Sequence, residues 1–344
     1  MTQDNSLFRH KLFIDNEEVL SSSEGKINFT GSNQLNTCML KINDIDIQHK
    51  SLFNKKVELF LNESGQDDSL PLFRGFVKEF TPFERGVNIK ALDVRSVLSG
   101  QNAVKITLTD EDNFDGKTLA QYIYSVITDN VNTDETIIGL DMLRDSNPVA
   151  LMQGLRGVNL DAYKIITDSI STVIDDTDFM NPLSLFIDVR EDSEKSNIII
   201  TKDKQLTDTP SYTFSFSDGI RKLTFKRRLP ANTAYYKGRS EQYTNRPNGQ
   251  IATTVTDLDD VAKTRNLALK ELLLAQQQQD EINLEISKAY DIGLGTLIHL
   301  EVPEDDVKGV HRVQSKSITF GKNVNCTLIL NKKPIKLSDY IQRQ

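Results

Sequence analysis

Hydrophobic and polar residues alternate in short runs along the first hundred residues, and clusters of Ser, Gly, Asn and Asp separate the runs. In one run Val57, Leu59 and Leu61 would share a single face of a strand. Such alternation is typical of half-buried strands. It predicts strands at 11–19, 26–31, 36–44, 55–62, 72–80 and 86–94. Evenly spaced short strands are typical of a barrel or sandwich, so we expect an antiparallel β-barrel domain over residues 1–101.

The period of the pattern changes between residues 102 and 208. An acidic loop at 109–116 precedes apolar residues at helical spacing in 117–129, and Asp115 is placed to cap that helix. A second helix is predicted over 160–176, with Ile165, Ile166, Ile170, Val173 and Ile174 facing inward. Two strands are predicted in PLSLFIDVRED and NIIITKD. We therefore expect a mixed helix and strand domain here.

Strand patterns return after residue 209. Residues 211–229 bend at the turn signal Asp218-Gly219, a polar loop follows at 238–250, and a helix with an acidic first turn is predicted over 256–281. The chain then ends in four strand-like runs, INLEIS, GTLIHLEV, GVHRVQSKSITF and NVNCTLIL. We expect a second, discontinuous β-barrel domain at 209–243 and 282–344, with a helical insertion at 244–281. The predicted fold class is therefore α+β.

The first and last strand groups resemble each other. Aligning Val57 with Ile298 also aligns apolar residues further along, namely Leu59 with Leu300, Leu61 with Val302, Phe76 with Val313, Phe83 with Phe320, Val87 with Val324, Ile89 with Cys326 and Ala91 with Leu328. Side chains alternate with a period of two in every strand, so any two antiparallel meanders share some apolar positions. A coincidental similarity is therefore the alternative to a duplication. A phenylalanine before a short polar turn in both groups favours a duplicated β domain. Three chains carrying two such domains would present six similar faces.

Composition and charge exclude several classes of protein. The 344 residues favour two or three domains, and 38% hydrophobic with 26% charged residues is typical of a globular chain. A formal net charge of -8 argues against a general nucleic-acid binder. The N-terminus lacks the apolar core of a signal peptide, and no apolar run is long enough for a membrane span. Cys38 and Cys326 are expected as buried thiols in a reduced compartment, with a disulfide as the alternative.

No sequence motif for nucleotide, cofactor, zinc or hydrolase chemistry occurs: GxGxxG, the P-loop, HExxH, GxSxG and CxxC are all absent. Of the histidines His10, His49, His299 and His311, the last two flank one loop and could meet across a strand pair, so a metal site is an alternative to ordinary histidines. We expect no catalytic, cofactor-binding or metal-binding residues.

Charged and polar clusters have ordinary and functional interpretations. Asp110, Glu111, Asp112 and Asp115 lack the spacing of a calcium loop and are interpreted as a solvated loop. Asp175, Asp176 and Asp178 are interpreted as a polar turn, with a catalytic carboxylate pair as the alternative. Residues Gln276 to Gln279 are interpreted as a polar helix end, with a partner-facing surface as the alternative. The basic run Lys226, Arg227 and Arg228 could either contact an acidic partner or block unwanted strand pairing.

Taken in order, these patterns resemble the trimeric hub proteins of phage tail baseplates, those of contractile tails above all. The resemblance covers nearly the whole chain and rests on VELFL with LFRGFVKEF and VNIKALDVRSVLSG, on DEDNFDGKTLAQYIYSVITDN, on LDAYKIITDSISTVIDD with NIIITKD, and on the long helix before LEISKAYDIGLGTLIHLEV. It implies a homotrimer whose two tail-tube-like barrels form a pseudo-six-fold ring. That ring would join a six-fold tail tube, or its initiator protein, to a three-fold central spike.

The resemblance further implies a structural virion protein of the tail baseplate, assembled in the host cytoplasm. Its other partners would be the tape measure protein and further baseplate proteins, without cofactor, membrane or specific nucleic-acid recognition. A spike-base protein and a distal tail protein are related alternatives. A β-rich cell-wall hydrolase that uses Asp176 and Asp178 is the alternative from a different class.

Overall fold

The computed structural model describes residues 8–21, 23–30, 34–43, 47, 50–63, 70–99, 105–108, 138–140, 157–172, 185–202, 209–227, 233–237, 242–244, 251–255, 280–286, 291–303 and 307–330. These residues form mostly β-strand, and their largest sheet has thirteen strands. No helix among them has the length and hydropathy to cross a membrane.

The six strands predicted in the first hundred residues are present. The strands are β1 (Phe8–Ile14), β2 (Glu17–Glu18), β3 (Ser23–Thr30), β4 (Thr37–Ile42), β5 (Lys56–Glu63), β6 (Phe73–Phe83) and β7 (Gly86–Asp93). They pair in the order β3-β4-β7-β6-β5-β1-β2, and a 3₁₀ helix at Val94–Val97 follows β7. The predicted run 11–19 is two strands, because Asp15 and Asn16 adopt φ of 55° and 67° and turn the chain.

In the part of the middle segment that the structure describes, strands are combined with one helix. It contains β8 (Lys105–Leu108), β9 (Ile138–Leu140), β10 (Gly157–Asp161), α1 (Ala162–Thr172), β11 (Leu185–Glu191) and β12 (Ser196–Lys202). The predicted strand pair is the antiparallel hairpin β11–β12, and β9 pairs in parallel with β12. Helix α1 begins two residues later than predicted and fully buries Ile165 and Ile166. The predicted acidic loop 109–116 and helix 117–129 lie outside the described residues, as do Val173 and Ile174.

The last part of the chain returns to strands. These are β13 (Tyr212–Ser215), β14 (Ile220–Arg227), β15 (Thr233–Lys237), β16 (Gln242–Thr244), β17 (Ile251–Val255), β18 (Asp280–Ile286), β19 (Leu297–Glu301), β20 (Gly309–Phe320) and β21 (Asn325–Leu330). The predicted bend is a 3₁₀ turn at Phe216–Asp218 followed by Gly219 at φ 89°. Its flanking strands do not pair with each other: β13 lies parallel to β19, and β14 lies antiparallel to β18.

Two predictions in this part are wrong. The predicted loop 238–250 contains β16, and the predicted helical insertion contains β17, both of which pair with β15. The predicted helix cannot extend to 281, because Asp280 and Glu281 begin β18 opposite Arg227 and Lys226. Opposite charges on directly opposite residues favour the pairing of two strands. The periodicity of one segment does not show which residues will lie opposite it, so this pairing could not be recognised from the sequence. Residues 256–279 lie outside the described part of the chain.

One apolar core serves both ends of the chain. It joins inward-facing residues of β3–β7 with those of β14 and β18–β21, among them Ile27, Leu40, Leu284, Leu300 and Ile318. Cys38 and Cys326 lie within it as free buried thiols, as predicted, and the disulfide alternative is wrong. Burial raises the pKa of Cys326 to about 12 and also raises the pKa of Cys38.

Candidate assembly surface

The strand ladder of the first hundred residues is repeated near the end of the chain. In the first ladder Leu59 lies opposite Phe73 and Lys56 opposite Phe76; in the second, Leu300 lies opposite Gly309 and Leu297 opposite Arg312. Both long strands, β6 and β20, then carry a register shift at the same point of the ladder, after Val77 and after Val313. We refer to β3–β7 as the first repeat and to β14 with β18–β21 as the second repeat.

The match extends across all five strands of each repeat. The strand order is β3-β4-β7-β6-β5 in the first and β14-β18-β21-β20-β19 in the second, and every neighbouring pair in both is antiparallel. Ile89 lies opposite Leu40, which lies opposite Gly25. Correspondingly, Leu328 lies opposite Leu284, which lies opposite Leu223. The duplication predicted from the sequence is therefore present at the level of hydrogen-bonded register.

The residue alignment expected from the sequence is correct in β5 and wrong beyond it. Val57, Leu59 and Leu61 correspond to Ile298, Leu300 and Val302, and all six are buried. On the ladder, however, the counterpart of Val313 is Val77 instead of Phe76, and Ile89 corresponds to Leu328 instead of Cys326. Two residues separate Phe83 from Gly86 in the turn after β6, and five residues separate Thr319 from Asn325 in the turn after β20. Because the two turns differ in length, aligning Phe83 with Phe320 shifted the register of the strands on both sides.

Among the described strands, the pair β20–β3 joins the two repeats into one sheet. The N-terminal half of β20 pairs with β19, and its C-terminal half, Ser315–Phe320, pairs antiparallel with β3. At this internal junction Ile318 lies opposite Ile27, and both side chains are fully buried. Phe320 lies opposite Gly25, where a Cβ atom would stand 2.7 Å from the Phe320 ring. The junction is therefore buried and closely packed.

The exposed face of this sheet carries balanced charge. Among the described residues it presents both lysines and glutamates, namely Lys26, Lys41, Lys90, Lys222, Lys226, Glu24, Glu79, Glu281 and Glu285. Lys41 Nζ lies 3.0 Å from Glu24 Oε1, and Lys90 Nζ lies 2.7 Å from Glu79 Oε1. The negative net charge of the chain is therefore not concentrated on this face.

Two solved structures with a similar fold are described as tail proteins. The tail protein of Neisseria meningitidis MC58 is 11% identical, with a TM-score of 0.65 over 96% of this chain and 98% of that one. The prophage MuSo2 43 kDa tail protein of Shewanella oneidensis is 10% identical, with a TM-score of 0.65 over 94% and 96% of the two chains. This is the fold of phage tail proteins.

The tail-protein fold also occurs in a secretion apparatus. An Escherichia coli protein, described as a component of the type VI secretion system with structural similarity to bacteriophage T4 tail proteins, has a TM-score of 0.56 and 7% identity over 95% of this chain and 77% of its own. Neither a family model nor a curated protein sequence matches the chain. At these identities the similarity concerns the fold alone.

A buried arginine in the first repeat of this tail-protein fold holds the middle segment in place. Arg74 is 1% exposed, and its Nε donates to Glu58 Oε1 at 2.8 Å while its Nη1 lies 3.3 Å from Glu191 Oε2. Its Nη2 donates to the carbonyls of Asp192 and Ser193, both at 3.4 Å. The β11–β12 hairpin is thus bound to β5 and β6 through one side chain.

The carboxylates around Arg74 differ in their affinity for a proton. Burial raises the pKa of Glu191 to about 7. The hydrogen bond from Ser196 and the charge of Arg74 act in the opposite direction but do not outweigh the burial. Burial also opposes ionisation of Glu58, but hydrogen bonds and charges from Lys56 and Arg74 outweigh it and lower the Glu58 pKa. The site therefore favours the ionised form of Glu58, 2.8 Å from Arg74 Nε, and the protonated form of Glu191.

A second buried arginine joins the first repeat to α1. Arg95 is fully buried, and its Nη2 donates to Asp93 Oδ2 at 2.6 Å while its Nη1 donates to the Tyr163 hydroxyl at 3.4 Å. The backbone N–H of Asn36 donates to the same Asp93 oxygen at 2.7 Å. Burial alone would lower the pKa of Arg95, but the nearby Asp93 charge raises it. The ion pair itself lies within one stretch of chain, and the hydrogen bond from Arg95 to Tyr163 is its link to α1.

A cleft of about 680 Å³ lies where the two repeats meet the β11–β12 hairpin. Its lining includes Leu61, Asp188, Glu191, Tyr212 and Lys316. Lys316 Nζ donates to the carbonyl of Ile292 at 2.8 Å, and burial lowers the pKa of Lys316. Burial raises the pKa of Asp188. These charged groups belong to the packing between segments.

The histidines predicted as a metal-site alternative are not brought together. His299 lies opposite Val310 and His311 lies opposite Ile298, so the period of two directs them to opposite faces of the ladder. His311 Nε2 lies 2.8 Å from the carbonyl oxygen of Val307, and His10 Nε2 lies 2.8 Å from Ser23 Oγ. No group of three metal-ligating side chains occurs among the described residues, and His49 lies outside them. The metal alternative for His299 and His311 is therefore wrong.

The remaining charged and polar residues considered in the sequence analysis lie either at the end of β14 or outside the described residues. Lys226 and Arg227 lie at the end of β14, opposite Glu281 and Asp280. Outside the described residues lie Asp110, Glu111, Asp112, Asp115, Asp175, Asp176, Asp178, Arg228 and Gln276 to Gln279. The sequence analysis missed Arg74, Arg95 and Glu191, because isolated charged residues inside strand patterns give no signal of burial.

Proposed function

We propose that this chain is the baseplate hub of a phage tail, a structural protein that forms a homotrimer with pseudo-six-fold symmetry. The repetition of one strand ladder within the chain is the observation that carries this proposal. Three chains with two matching repeats each supply six similar units, and these can face a six-fold ring. The other side of the same trimer keeps three-fold symmetry.

In this proposal the hub adapts the tail tube, or its initiator protein, to a central spike. Each repeat builds one tail-tube-like barrel, and the ring leaves a lumen for the tape measure protein and DNA. The domains are 1–101, 102–208, 209–243 with 282–344, and an insertion at 244–281. The protein resides in the virion tail after assembly in the cytoplasm of the host. Its function lies in its interfaces, and we propose no catalytic role.

The fold of the solved neighbours supports a tail role for the chain. The proteins from Neisseria and Shewanella are described as tail proteins, and each aligns over nearly the whole of both chains. Arg74 contacts the β11–β12 hairpin and Arg95 contacts Tyr163 of α1, and such links between segments suit a protein that transmits load between two rings. A rigid adaptor needs fixed contacts between its segments more than it needs a cleft.

Copy number and symmetry test this proposal. Native mass spectrometry of the purified chain should give three copies, and averaged electron micrographs should show a ring of six similar densities with three-fold symmetry. Tail particles should contain the same ring at the end of the tube. A single copy in an assembled particle would contradict the proposal, and a ring of six chains would indicate a distal tail protein instead.

A spike-base component of a secretion apparatus is the second candidate, because one neighbour is described as a type VI secretion component. Antibody labelling of purified particles separates the two functions. Label on the tails of capsid-bearing virions supports the hub of a phage. Label confined to contractile structures without capsids would support the secretion apparatus.

A further inference from the structure

The β11–β12 hairpin forms one wall of the cleft of about 680 Å³. Asp188 and Glu191 belong to that wall, and the cleft is also lined by Leu61 of the first repeat and Leu294 from the loop before β19, both buried. Among the described strands, β11 and β12 pair with each other and with β9, and they form no ladder with the thirteen-stranded sheet. Side-chain contacts therefore hold the hairpin against the first repeat, and these can open without breaking a strand pair.

Arg74 makes side-chain contacts that join the hairpin to β6. Its Nη1 lies 3.3 Å from Glu191 Oε2, and its Nη2 lies 3.4 Å from the carbonyl oxygens of Asp192 and Ser193. All three distances exceed the 2.8 Å that separates Arg74 Nε from Glu58 Oε1. Hydrogen bonds between nitrogen and oxygen are commonest at about 2.9–3.0 Å, so Arg74 binds the hairpin more weakly than it binds β5.

We propose that the β11–β12 hairpin is a proton-controlled latch. A proton on Glu191 holds the hairpin against the first repeat, and loss of this proton makes release of the hairpin more frequent, which opens the cleft. Release also uncovers Arg74, whose side chain is 1% exposed in the attached state. The inference concerns a single chain, so it goes beyond the proposed hub function and does not depend on the number of subunits.

Charged and polar groups from several strands surround Glu191. They are Lys56 and Glu58 of β5, Arg74 of β6, Asp93 of β7 and Ser196 of β12, and Asp188 of β11 and Lys316 of β20 line the same cleft. Arg74 and the Ser196 hydroxyl favour the ionised form of Glu191, whereas Asp93 opposes it. Lys56 Nζ lies 2.8 Å from Glu58 Oε2, so its charge acts mainly on Glu58. Glu191 therefore shares its cation, Arg74, with another carboxylate.

Attachment of the hairpin favours the protonated form of Glu191. Burial in the attached hairpin raises the pKa of Glu191 from its ordinary value of 4.5 to about 7. A released Glu191 would be hydrated and would regain the ordinary pKa. Because the pKa is higher in the attached state, the stabilisation by the proton is complete below the ordinary value and is lost as the pH rises through about 7. Attachment is therefore strongest in mild acid.

The reaction rate of a buried cysteine with a thiol reagent measures how often the hairpin is released. Ile187 is 1% exposed and lies on the same face of β11 as Glu191, so Ile187→Cys should react when the hairpin opens. The two pKa values of Glu191 imply that the open fraction rises roughly 30-fold between pH 5.5 and pH 8.5. Glu194→Cys, at an exposed position of the same hairpin, corrects for the pH dependence of thiol reactivity.

Two further substitutions in the Ile187→Cys chain assign the effect to one carboxylate. Glu191→Gln cannot ionise, so the corrected rate should stay low at every pH. Asp188→Asn removes the other buried carboxylate of β11, whose pKa is also raised by burial, and should leave most of the pH dependence in place. The native thiols of Cys38 and Cys326 lie in the shared core and should stay unreacted, which distinguishes release of the hairpin from unfolding of the chain.

A corrected rate at Ile187→Cys that rises with pH, and that Glu191→Gln keeps low, supports the latch. A rate that does not change with pH, or that rises equally in Glu191→Gln, overturns it. Reaction of Cys38 or Cys326 together with Ile187→Cys also overturns it, because the chain then opens as a whole. If Ile187→Cys does not fold, Ile198→Cys on β12, which is also 1% exposed in the unmodified chain, provides the same test. Each of these results leaves the trimeric hub untouched.

Discussion

Arg74 in the first repeat and Val310 in the second occupy the same position on the ladder, opposite Glu58 and His299 respectively. The first repeat has a buried ion pair at this point, and the β11–β12 hairpin is bound to it. The second repeat has an ordinary strand pair. The difference shows that one ladder can serve two purposes: the backbone register is kept in both repeats, while the side chains at one position decide which neighbouring segment attaches.

Removing the arginine should break this asymmetry with the largest effect. Arg74→Met leaves Glu58 and Glu191 without their shared cation, and loss of one partner from a buried ion pair costs about 3–5 kcal/mol. Val310→Ala, at the matching position, should cost about 1 kcal/mol. Urea unfolding followed by circular dichroism measures both. Equal losses at the two positions would show that Arg74 does no more than fill space.

The second effect is a pH dependence at Glu191, the carboxylate of the β11–β12 hairpin that contacts Arg74 of the first repeat. The raised pKa of Glu191 means that the folded state favours its protonated form. This stabilisation is complete below the ordinary glutamate pKa and is lost as the pH rises to about 7. Glu191→Gln should therefore gain ~1–3 kcal/mol relative to the unmodified chain between pH 5 and pH 8. Urea unfolding of both chains at a series of pH values measures this gain.

The charges near Glu191 define the control for that measurement. Arg74 and the Ser196 hydroxyl favour its ionised form, Asp93 opposes it, and Glu58 competes for Arg74. Glu194 lies exposed in the same hairpin, so Glu194→Gln should follow the unmodified chain at every pH. If Glu191→Gln and Glu194→Gln give parallel curves, the buried carboxylate does not control the attachment of the hairpin.

The smallest effect concerns a charge pair that is reversed between the repeats. Glu24 lies opposite Lys41 in the first repeat, and Lys222 lies opposite Glu285 at the matching position of the second. Both members of the first pair are about half exposed, so Lys41→Glu should cost less than about 1 kcal/mol in urea unfolding. Adding Glu24→Lys reproduces the order of the second repeat and should restore stability to within about 0.5 kcal/mol. Failure of the double variant to recover would show that the repeats are not equivalent here.

The sequence predicted the elements of the repeats better than it predicted their residue-by-residue correspondence. Strands with strict alternation, such as β5 and β7, were found where expected because one face must be buried. The residue alignment failed beyond Leu61. It slipped by one residue in β6 and by two in β7, because the loops and turns that join the strands differ in length between the repeats. Strands β16 and β17 carry no clear alternation, so the sequence predicted a loop and a helical insertion where they lie.

Local pattern was enough to predict two similar groups of alternating strands and to show that the sequence carries none of the catalytic motifs sought. The period of apolar side chains and the residue types of a motif are both properties of short segments, so they can be recognised in the sequence alone. Contacts between distant segments were needed to establish that β20 pairs with β3, that Arg74 and Arg95 are buried, and that matching halves of the ladder differ in their neighbours. Many arrangements of the same strands would bury the same apolar faces, so the pattern of one strand does not specify which other strand it meets.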